Sequence, residues 1–514
     1  MAPCLVGFAL AAMTDPAEEL PRLRNFPWLK FPGGTFGRSV LTLASGTALA
    51  QLAVVLSAPV LTRLYTPAEF GTLAVYSSVL SVLLVVASLR YESAIPLPAE
   101  DDQAASLLAL TLAVLAGMTV VVAVLVWLFG VSAARAANVP ELGLYRALIP
   151  LGFLGAGAYQ LLALWAIRRS RFRPVARTRV GQGVGQVVTQ VTLGALGTGT
   201  PGLLLGDVVG RVAGSGALAV QLLGERPFRR VTGASLRAMA YRYRRFPLVT
   251  TWAGILNIGS LQLPAVVFSA GFGAAAAGLY ALSFKMLVAP TMLLGQAVGD
   301  VFLSRAAPSV REPERLRQLT ERTAITLFAC GLPAFGSVAL GGPQLFAIIL
   351  GNEWETAGRY AQILSPWFVV WLVSSPLSRL LSVREWQLSA LAFTGFEFLL
   401  RLGALLIGVH RDSPLLAVAL LSASGVIISV ASIVRFMRAG FSSIGRVLSP
   451  AARLLALAAL CLLPAGMALY LESGPGAIVA GGVGVATYYI VVYRAITSGK
   501  LFAAAGVSSA VNAK

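Results

Sequence analysis

Runs of about 20 apolar residues recur along the whole chain, and a run of that length fixes what it can fold into. Fourteen of them lie near 39–61, 71–89, 105–130, 145–167, 180–198, 202–223, 247–269, 278–300, 323–341, 360–378, 387–408, 414–434, 451–471 and 476–493. A helix rises about 1.5 Å per residue, so each run spans a hydrocarbon core about 30 Å thick. Within lipid the backbone must satisfy its own amides, which makes the helix the spanning element for uniformly apolar runs. The chain has 514 residues, 57% hydrophobic and only 12% charged, too few polar groups to cover a soluble core of that size. The expected class is all-α: a polytopic membrane protein with about 14 transmembrane helices.

The net charge is +19. In a soluble protein that excess suggests a nucleic-acid partner. Here the basic residues crowd alternate links between the apolar runs. Arg168, Arg169, Arg171, Arg173, Arg177 and Arg179 follow the fourth run, and Arg226, Arg229, Arg230, Arg237, Arg242, Arg244 and Arg245 follow the sixth. Arg305, Arg311, Arg315, Arg317 and Arg322 follow the eighth, and Arg435, Arg438, Arg446 and Arg453 the twelfth. The odd-numbered links, which would lie outside, hold little beyond Arg63, Arg135, Arg359 and Arg411. Basic links prefer the cytoplasm, so both termini are expected there, with no nucleic acid bound. The three cysteines, Cys4, Cys330 and Cys461, and the lone His410 have no metal-ligand or disulfide spacing. No catalytic residue, metal or cofactor is expected. CLVGFALAAM near the N-terminus lacks a basic flank. Residues 1–38 read as a cytoplasmic extension, and whether 1–30 belong to the mature protein is left open.

The longest basic link divides the first twelve runs into six and six. The expected organisation is an N-lobe at 39–223, a basic cytoplasmic linker at 224–246 and a C-lobe at 247–437, then two added helices at 438–498 and a cytoplasmic tail at 499–514. TPAEFGTLAVY (66–76) and GAAAAGLYALS (273–283) fall between the first two runs of their halves, with Gly71 and Gly278 matched at an offset of 207. Both halves hold an even number of helices, so a parallel repeat about an axis along the membrane normal is expected. Within LTRLYTPAEFG, Thr66-Pro67-Ala68-Glu69 reads as a capping box that starts the second helix. Arg63 is either a headgroup anchor or a charge lining the outer mouth.

Ionisable groups within spanning helices cost roughly 3 kcal/mol on insertion scales, so they are the best site candidates. The sixth run carries Asp207 and Arg211, and the eleventh carries Glu397 and Arg401, both spaced i,i+4. That spacing allows an ion pair within one helix. Gly206, Gly210 and Gly214 make a small-residue stripe beside the first pair, suited to close packing. Lys285 has no carboxylate within one turn, so it faces water or an anion, or meets Asp207 or Glu397 from another helix. Gln182, Gln186 and Gln190 share one face of the fifth helix and serve either as packing glue or as sugar contacts. Asn257, Gln262 and Gln296 are weaker candidates of that kind. Arg90, Arg146, Arg359 and Arg379 lie near helix ends, where snorkelling is expected.

Four segments in order, LTRLYTPAEFG with RYESAIPLP, YRRFPLVTTWAGILNIGSLQLPAVVFSAGFG with AGLYALSFKML, GQAVGDVFLSRAA, and LFAIILGNEWETAGRYAQIL, resemble the polysaccharide biosynthesis or O-antigen (Wzx-type) flippases. These belong to the multidrug/oligosaccharidyl-lipid/polysaccharide exporter superfamily, and the resemblance covers residues 39 to about 440. It implies a MATE-like carrier of the bacterial inner membrane, not an enzyme, that moves polyprenyl-pyrophosphate-linked oligosaccharide, an O-antigen or exopolysaccharide unit, to the periplasmic leaflet by alternating access. On that reading Arg211, Lys285, Arg401 and Arg63 would hold the pyrophosphate, and Asp207 and Glu397 would couple transport to ions. Gln182, Gln186, Gln190, Asn257 and Gln262 would face the sugar. Implied partners are the lipid-linked oligosaccharide and membrane lipids, with a polysaccharide polymerase and chain-length proteins as further candidates. A peptidoglycan-precursor flippase and a multidrug or cation antiporter remain alternatives. A polymerase or ligase would need a large outer loop, and the longest outer gap here is about 18 residues, near Gly342 to Arg359.

Overall fold

The computed structural model describes residues 35–497, apart from 226, 307, 379, 381–386 and 471–473. The expected N-terminal extension up to residue 34, the tail from 499 and Arg379 lie outside the described residues. Among the described residues all regular structure is helical. We number the long helices α1 (Thr35–Leu56, continued by Ala58–Leu64), α2 (Pro67–Leu84), α3 (Asp101–Ala136), α4 (Leu148–Arg168), α5 (Phe172–Ala195) and α6 (Thr200–Val212, continued by Ser215–Glu225). They continue as α7 (Thr251–Phe272), α8 (Ala274–Ala306), α9 (Pro313–Leu350), α10 (Glu355–Leu377), α11 (Gln387–His410), α12 (Pro414–Ala439), α13 (Ile444–Tyr470) and α14 (Gly474–Thr497).

Eleven segments among the described residues are long and apolar enough to cross a membrane. The long helices outside that set are α5, α10 and α14. α5 carries the glutamine stripe and four arginines, Arg173, Arg177 and Arg179 with Arg171 at its cap, so its composition is polar where its position is that of a span. The chain is a multi-pass membrane protein.

Breaks in the helices follow their sequence. Proline removes an amide donor and crowds the preceding turn, and α7, α8, α9, α10 and α13 carry Pro264, Pro290, Pro333 with Pro343, Pro366 with Pro376, and Pro450 with Pro464. α9 bends at Gly341, where φ is −127° and ψ 26°. The long gap expected from Gly342 to Arg359 is mostly helix: α9 runs to Leu350 and α10 starts at Glu355. Gly342 and Gly358 pack backbone to backbone beside that short link.

The chain divides into two compact units. One comprises the described part of Phe31–Leu282 with Thr394–Pro414, and the other the described part of Ser283–Phe393 with Leu415–Lys514. In the first unit small residues set the helix spacing. A side chain on Gly46 of α1 would meet the Ala176 backbone of α5, and one on Gly183 of α5 would meet Ala50 of α1. Tyr76, Leu80, Leu107, Leu108 and Phe153 form the inner core of α2, α3 and α4, each fully buried. In the second unit α9, α10 and α12 bury Phe335, Trp367 and Phe368, and Gly425 of α12 makes room for the Trp367 indole. Between spanning helices such side chains stabilise through close packing rather than by escaping water.

The start of α2 is the capping box that the sequence predicts. Thr66 Oγ1 accepts from the Glu69 amide at 3.4 Å, and Glu69 Oε2 accepts from the Thr66 amide at 2.7 Å. Such a cap contributes about 1 kcal/mol. The matching position in the second half uses another device. Gly273 ends α7 at φ 89°, a conformation that favours glycine, and its amide donates to Ser269 O at 2.9 Å.

Candidate functional site

Most of the candidate polar groups lie in the first unit, and they form two clusters. The first is built on α5 and α6. Arg211 Nε donates to Asp207 Oδ2 at 2.5 Å, the pair that the i,i+4 spacing allows. Asp207 is 8% exposed, and Arg211 is the cation that meets it. Fully buried Tyr76 of α2 lies within electrostatic reach of both groups and donates its own hydroxyl to Leu148 O at 3.1 Å.

One helix from 202 to 223 is expected here, but α6 breaks after Val212. Ala213 is extended and Gly214 has φ 87°, so the chain turns before it resumes at Ser215. The break leaves carbonyl groups of the last turn without intrahelical donors. The Gln182 side chain fills one such place, donating to Arg211 O at 3.1 Å. Gln190, also of α5, donates to Leu203 O at 3.1 Å. The three glycines of α6 explain the contact: side chains there would strike Gln190 at Gly206, Gln186 at Gly210 and Thr178 at Gly214. The glutamine face of α5 therefore lies along the glycine stripe of α6. Two of its three amides hold that interface, and Gln186 gives its aliphatic stem to it.

The second cluster joins α7, α8 and α11. Arg401 Nη2 meets Glu397 Oε1 at 2.6 Å, and Arg401 Nη1 donates to Ser260 Oγ of α7 at 3.0 Å. Arg401 is 4% exposed. Tyr280 of α8 lies in its field and stacks on Phe268 of α7, with centroids 4.8 Å apart. Each acid–arginine pair thus stands beside a buried tyrosine from the second helix of its half of the chain. One turn from Ser260, Asn257 is exposed on α7, and Gln262 Oε1 accepts from Ser78 Oγ of α2 at 3.0 Å.

Arg63 is exposed at the end of α1 and pairs with no carboxylate among the described residues. Lys285 belongs to the second unit and is half-buried on α8. It follows Phe284, whose ring packs against Trp367, Phe368 and Trp371 at 5.4–6.3 Å between centroids.

Two buried carboxylates were missed by sequence reasoning. Glu92 is 3% exposed in the broken segment between α2 and α3, bonded by Ser88 and 3.7 Å from Arg90. Arg90 has φ 62°, and its guanidinium covers Gly254 of α7, so it is locked into the protein and does not snorkel. In the second unit Glu321 of α9 is 1% exposed and accepts from Ser442 Oγ at 2.5 Å, with Arg446 at 3.8 Å. The signal for Glu321 was hidden because it lies among Arg315, Arg317 and Arg322, in a link notable only for its positive charge.

The family described as "Polysaccharide biosynthesis protein" matches residues 60–358. A curated relative, the succinoglycan biosynthesis transport protein ExoT of Rhizobium meliloti (strain 1021), is 28% identical over 358 residues, or 67% of this chain and 66% of the relative. The match thus spans slightly under two thirds of that relative's length. Among solved structures, the lipid II flippase MurJ in an inward closed conformation superposes with a TM-score of 0.68 at 10% identity, over 90% of this chain and 100% of that one. An inward-facing multidrug resistance MATE family transporter of the MOP superfamily gives 0.54 at 15% identity, over 84% and 98%. The all-helical, MATE-like class expected from the sequence is the fold observed.

Proposed function

This chain belongs to the polysaccharide biosynthesis protein family, and we propose that within it the protein is a flippase for polyprenyl-pyrophosphate-linked oligosaccharide, an O-antigen or exopolysaccharide repeat unit. It moves this lipid from the cytoplasmic to the periplasmic leaflet of the inner membrane by alternating access, the two six-helix halves rocking about the bound head. No bond is made or broken.

The observation that carries this reading is the pair of acid–arginine clusters within spanning helices. An arginine held by a carboxylate at 2.5–2.6 Å is neutral as a unit. A pyrophosphate is a stronger, multidentate acceptor for a guanidinium. On binding it takes over Arg211 or Arg401, and the released Asp207 or Glu397 couples the step to ions. Lys285 and Arg63 add positive charge at other stages. Asn257, exposed on α7 near Arg401, and Gln262 are the proposed sugar contacts. Gln182, Gln186 and Gln190 shape the α5–α6 side of the same site.

A multidrug or cation antiporter would want acidic groups in excess, and in the two clusters Asp207 and Glu397 are each matched by an arginine. A peptidoglycan-precursor carrier handles the same pyrophosphate chemistry. The succinoglycan transport relative favours an exopolysaccharide unit over it. Depletion of the protein in its native cell tests the reading. Lipid-linked oligosaccharide is expected to accumulate where a membrane-impermeant oxidant added outside cannot reach the sugar. Unchanged accessibility on depletion would refute it.

A further inference from the structure

The connector between α6 and α7 has two unlike faces. It contains a helix, Gly233–Arg242, started by a capping box in which Thr232 Oγ1 accepts from the Ser235 amide at 3.2 Å. One face of the connector is fastened to neighbouring segments. Ser106 Oγ meets Ser235 Oγ at 3.0 Å, Arg242 donates to Gln103 Oε1 at 3.1 Å, and Arg230 pairs with Asp102 at 2.9 Å. Tyr91 donates to Ala240 O at 3.1 Å, and Met239 is buried.

The other face carries Ala234, Arg237, Ala238, Tyr241 and Arg244, which line a shallow groove of about 610 Å³. The Arg244 guanidinium lies 4.2 Å from the Tyr241 ring centroid. Among the described residues no carboxylate pairs with Arg237, Arg244 or Arg245. Beyond the turn that ends this helix, Leu248 and Trp252 follow in the chain, 66% and 65% exposed. Cations, an aromatic ring and then bare apolar side chains thus succeed one another along the exposed chain that leads into α7.

A water-soluble polyanion would satisfy the arginines and leave Leu248 and Trp252 bare. A hydrophobic protein partner would cover those two and strand the charges. A phospholipid with an anionic head supplies both kinds of contact in one molecule, in the order in which the segment presents them. Tyr and Trp favour the level between head and chains, where an apolar ring and a polar edge are both accommodated. We propose that this segment is a binding site for an anionic phospholipid of the adjacent leaflet. Its phosphate sits between Arg237 and Arg244, with Arg245 beside them, and an acyl chain runs along Leu248 and Trp252. The site is separate from the acid–arginine clusters and does not depend on what the protein transports.

The test uses the full chain in detergent, titrated with phosphatidylglycerol or phosphatidylcholine, with native mass spectrometry to count bound lipid. Wild type is expected to retain phosphatidylglycerol preferentially. Arg237→Gln/Arg244→Gln should weaken phosphatidylglycerol binding on the order of tenfold and leave phosphatidylcholine unchanged. Trp252→Ala should weaken both lipids alike. The conservative Arg237→Lys/Arg244→Lys variant should keep most of the preference, which separates loss of charge from a folding defect. Equal retention of the two lipids by wild type, or an undiminished preference in the glutamine variant, overturns the proposal. So does displacement of phosphatidylglycerol by an equal concentration of polyprenyl pyrophosphate, which would assign the segment to the transported lipid instead.

Discussion

Gly71 and Gly278, the two residues that the internal repeat matches at an offset of 207, lie against each other. A Cβ on Gly278 would run into the Pro67 carbonyl oxygen and stand 2.7 Å from the Gly71 amide nitrogen, and one on Gly71 would run into the Ala274 carbonyl oxygen. The first turns of α2 and α8 therefore meet backbone to backbone, at a distance only glycine permits.

Any side chain at this contact must push two helices apart, because the atoms it meets are main chain. Gly71→Val and Gly278→Val are each expected to lower the melting temperature in detergent, by a cost of about 1–3 kcal/mol. Gly117→Ala is the control. It faces open space on α3 and should be neutral or stabilising, by up to about 1 kcal/mol from helix propensity. Equal melting temperatures for all three variants would show that the contact contributes nothing.

The Asp207–Arg211 pair makes a second prediction. Asp207→Asn leaves Arg211 without its partner inside a spanning helix and should destabilise by about 3–5 kcal/mol. Asp207→Asn/Arg211→Gln removes both charges and should recover much of that loss, giving a coupling well above 1 kcal/mol in a double-mutant cycle read by thermal unfolding. Additive effects would mean that the two groups do not share their energy.

The second cluster is tied by one hydroxyl. Ser260→Ala removes the acceptor 3.0 Å from Arg401 Nη1 and should cost about 1.5–3 kcal/mol, since the lost bond is to a charged group. Ser260→Thr keeps the hydroxyl and should recover part of the loss.

Tyr65 gives a pH signature outside the spans. Its hydroxyl donates to Gln190 O at 2.7 Å, and burial, with the Glu69 carboxylate adding to it, pushes its pKa up to about 12. The unfolded chain releases that proton near the ordinary value of about 10. The stability it contributes is therefore complete below about pH 10 and is lost as pH rises toward about 12. Tyr65→Phe should flatten that part of the alkaline unfolding curve and cost about 1 kcal/mol at neutral pH from the missing bond.

Local chemistry in this chain was readable wherever one segment contains the whole argument. The apolar runs give the helices, Thr66 to Glu69 gives the cap, and the i,i+4 spacing gives both ion pairs. What a residue meets on another helix was not readable. Nothing in the sequence places Tyr280 beside Arg401 or Tyr76 beside Asp207, and nothing says that Gln182 would cap the end of a broken α6. That break depends on Gly214 taking a positive φ, a choice open to every glycine in the chain and signalled by none. The sequence singles out Gly71 and Gly278 by their matched positions, but not the contact between the two. Glu92 and Glu321 escaped notice because arginines beside them in sequence made their segments look like ordinary charged links.

The most direct measurement is flipping itself. Purified protein is reconstituted into vesicles with a labelled polyprenyl-pyrophosphate oligosaccharide, and the label is quenched from outside over time. Wild type should make the label accessible in a protein-dependent way, Arg211→Gln and Arg401→Gln should each be severely slowed, and Gly117→Ala should match wild type. If both arginine variants flip the lipid at the wild-type rate, the acid–arginine clusters do not carry the pyrophosphate and the account fails.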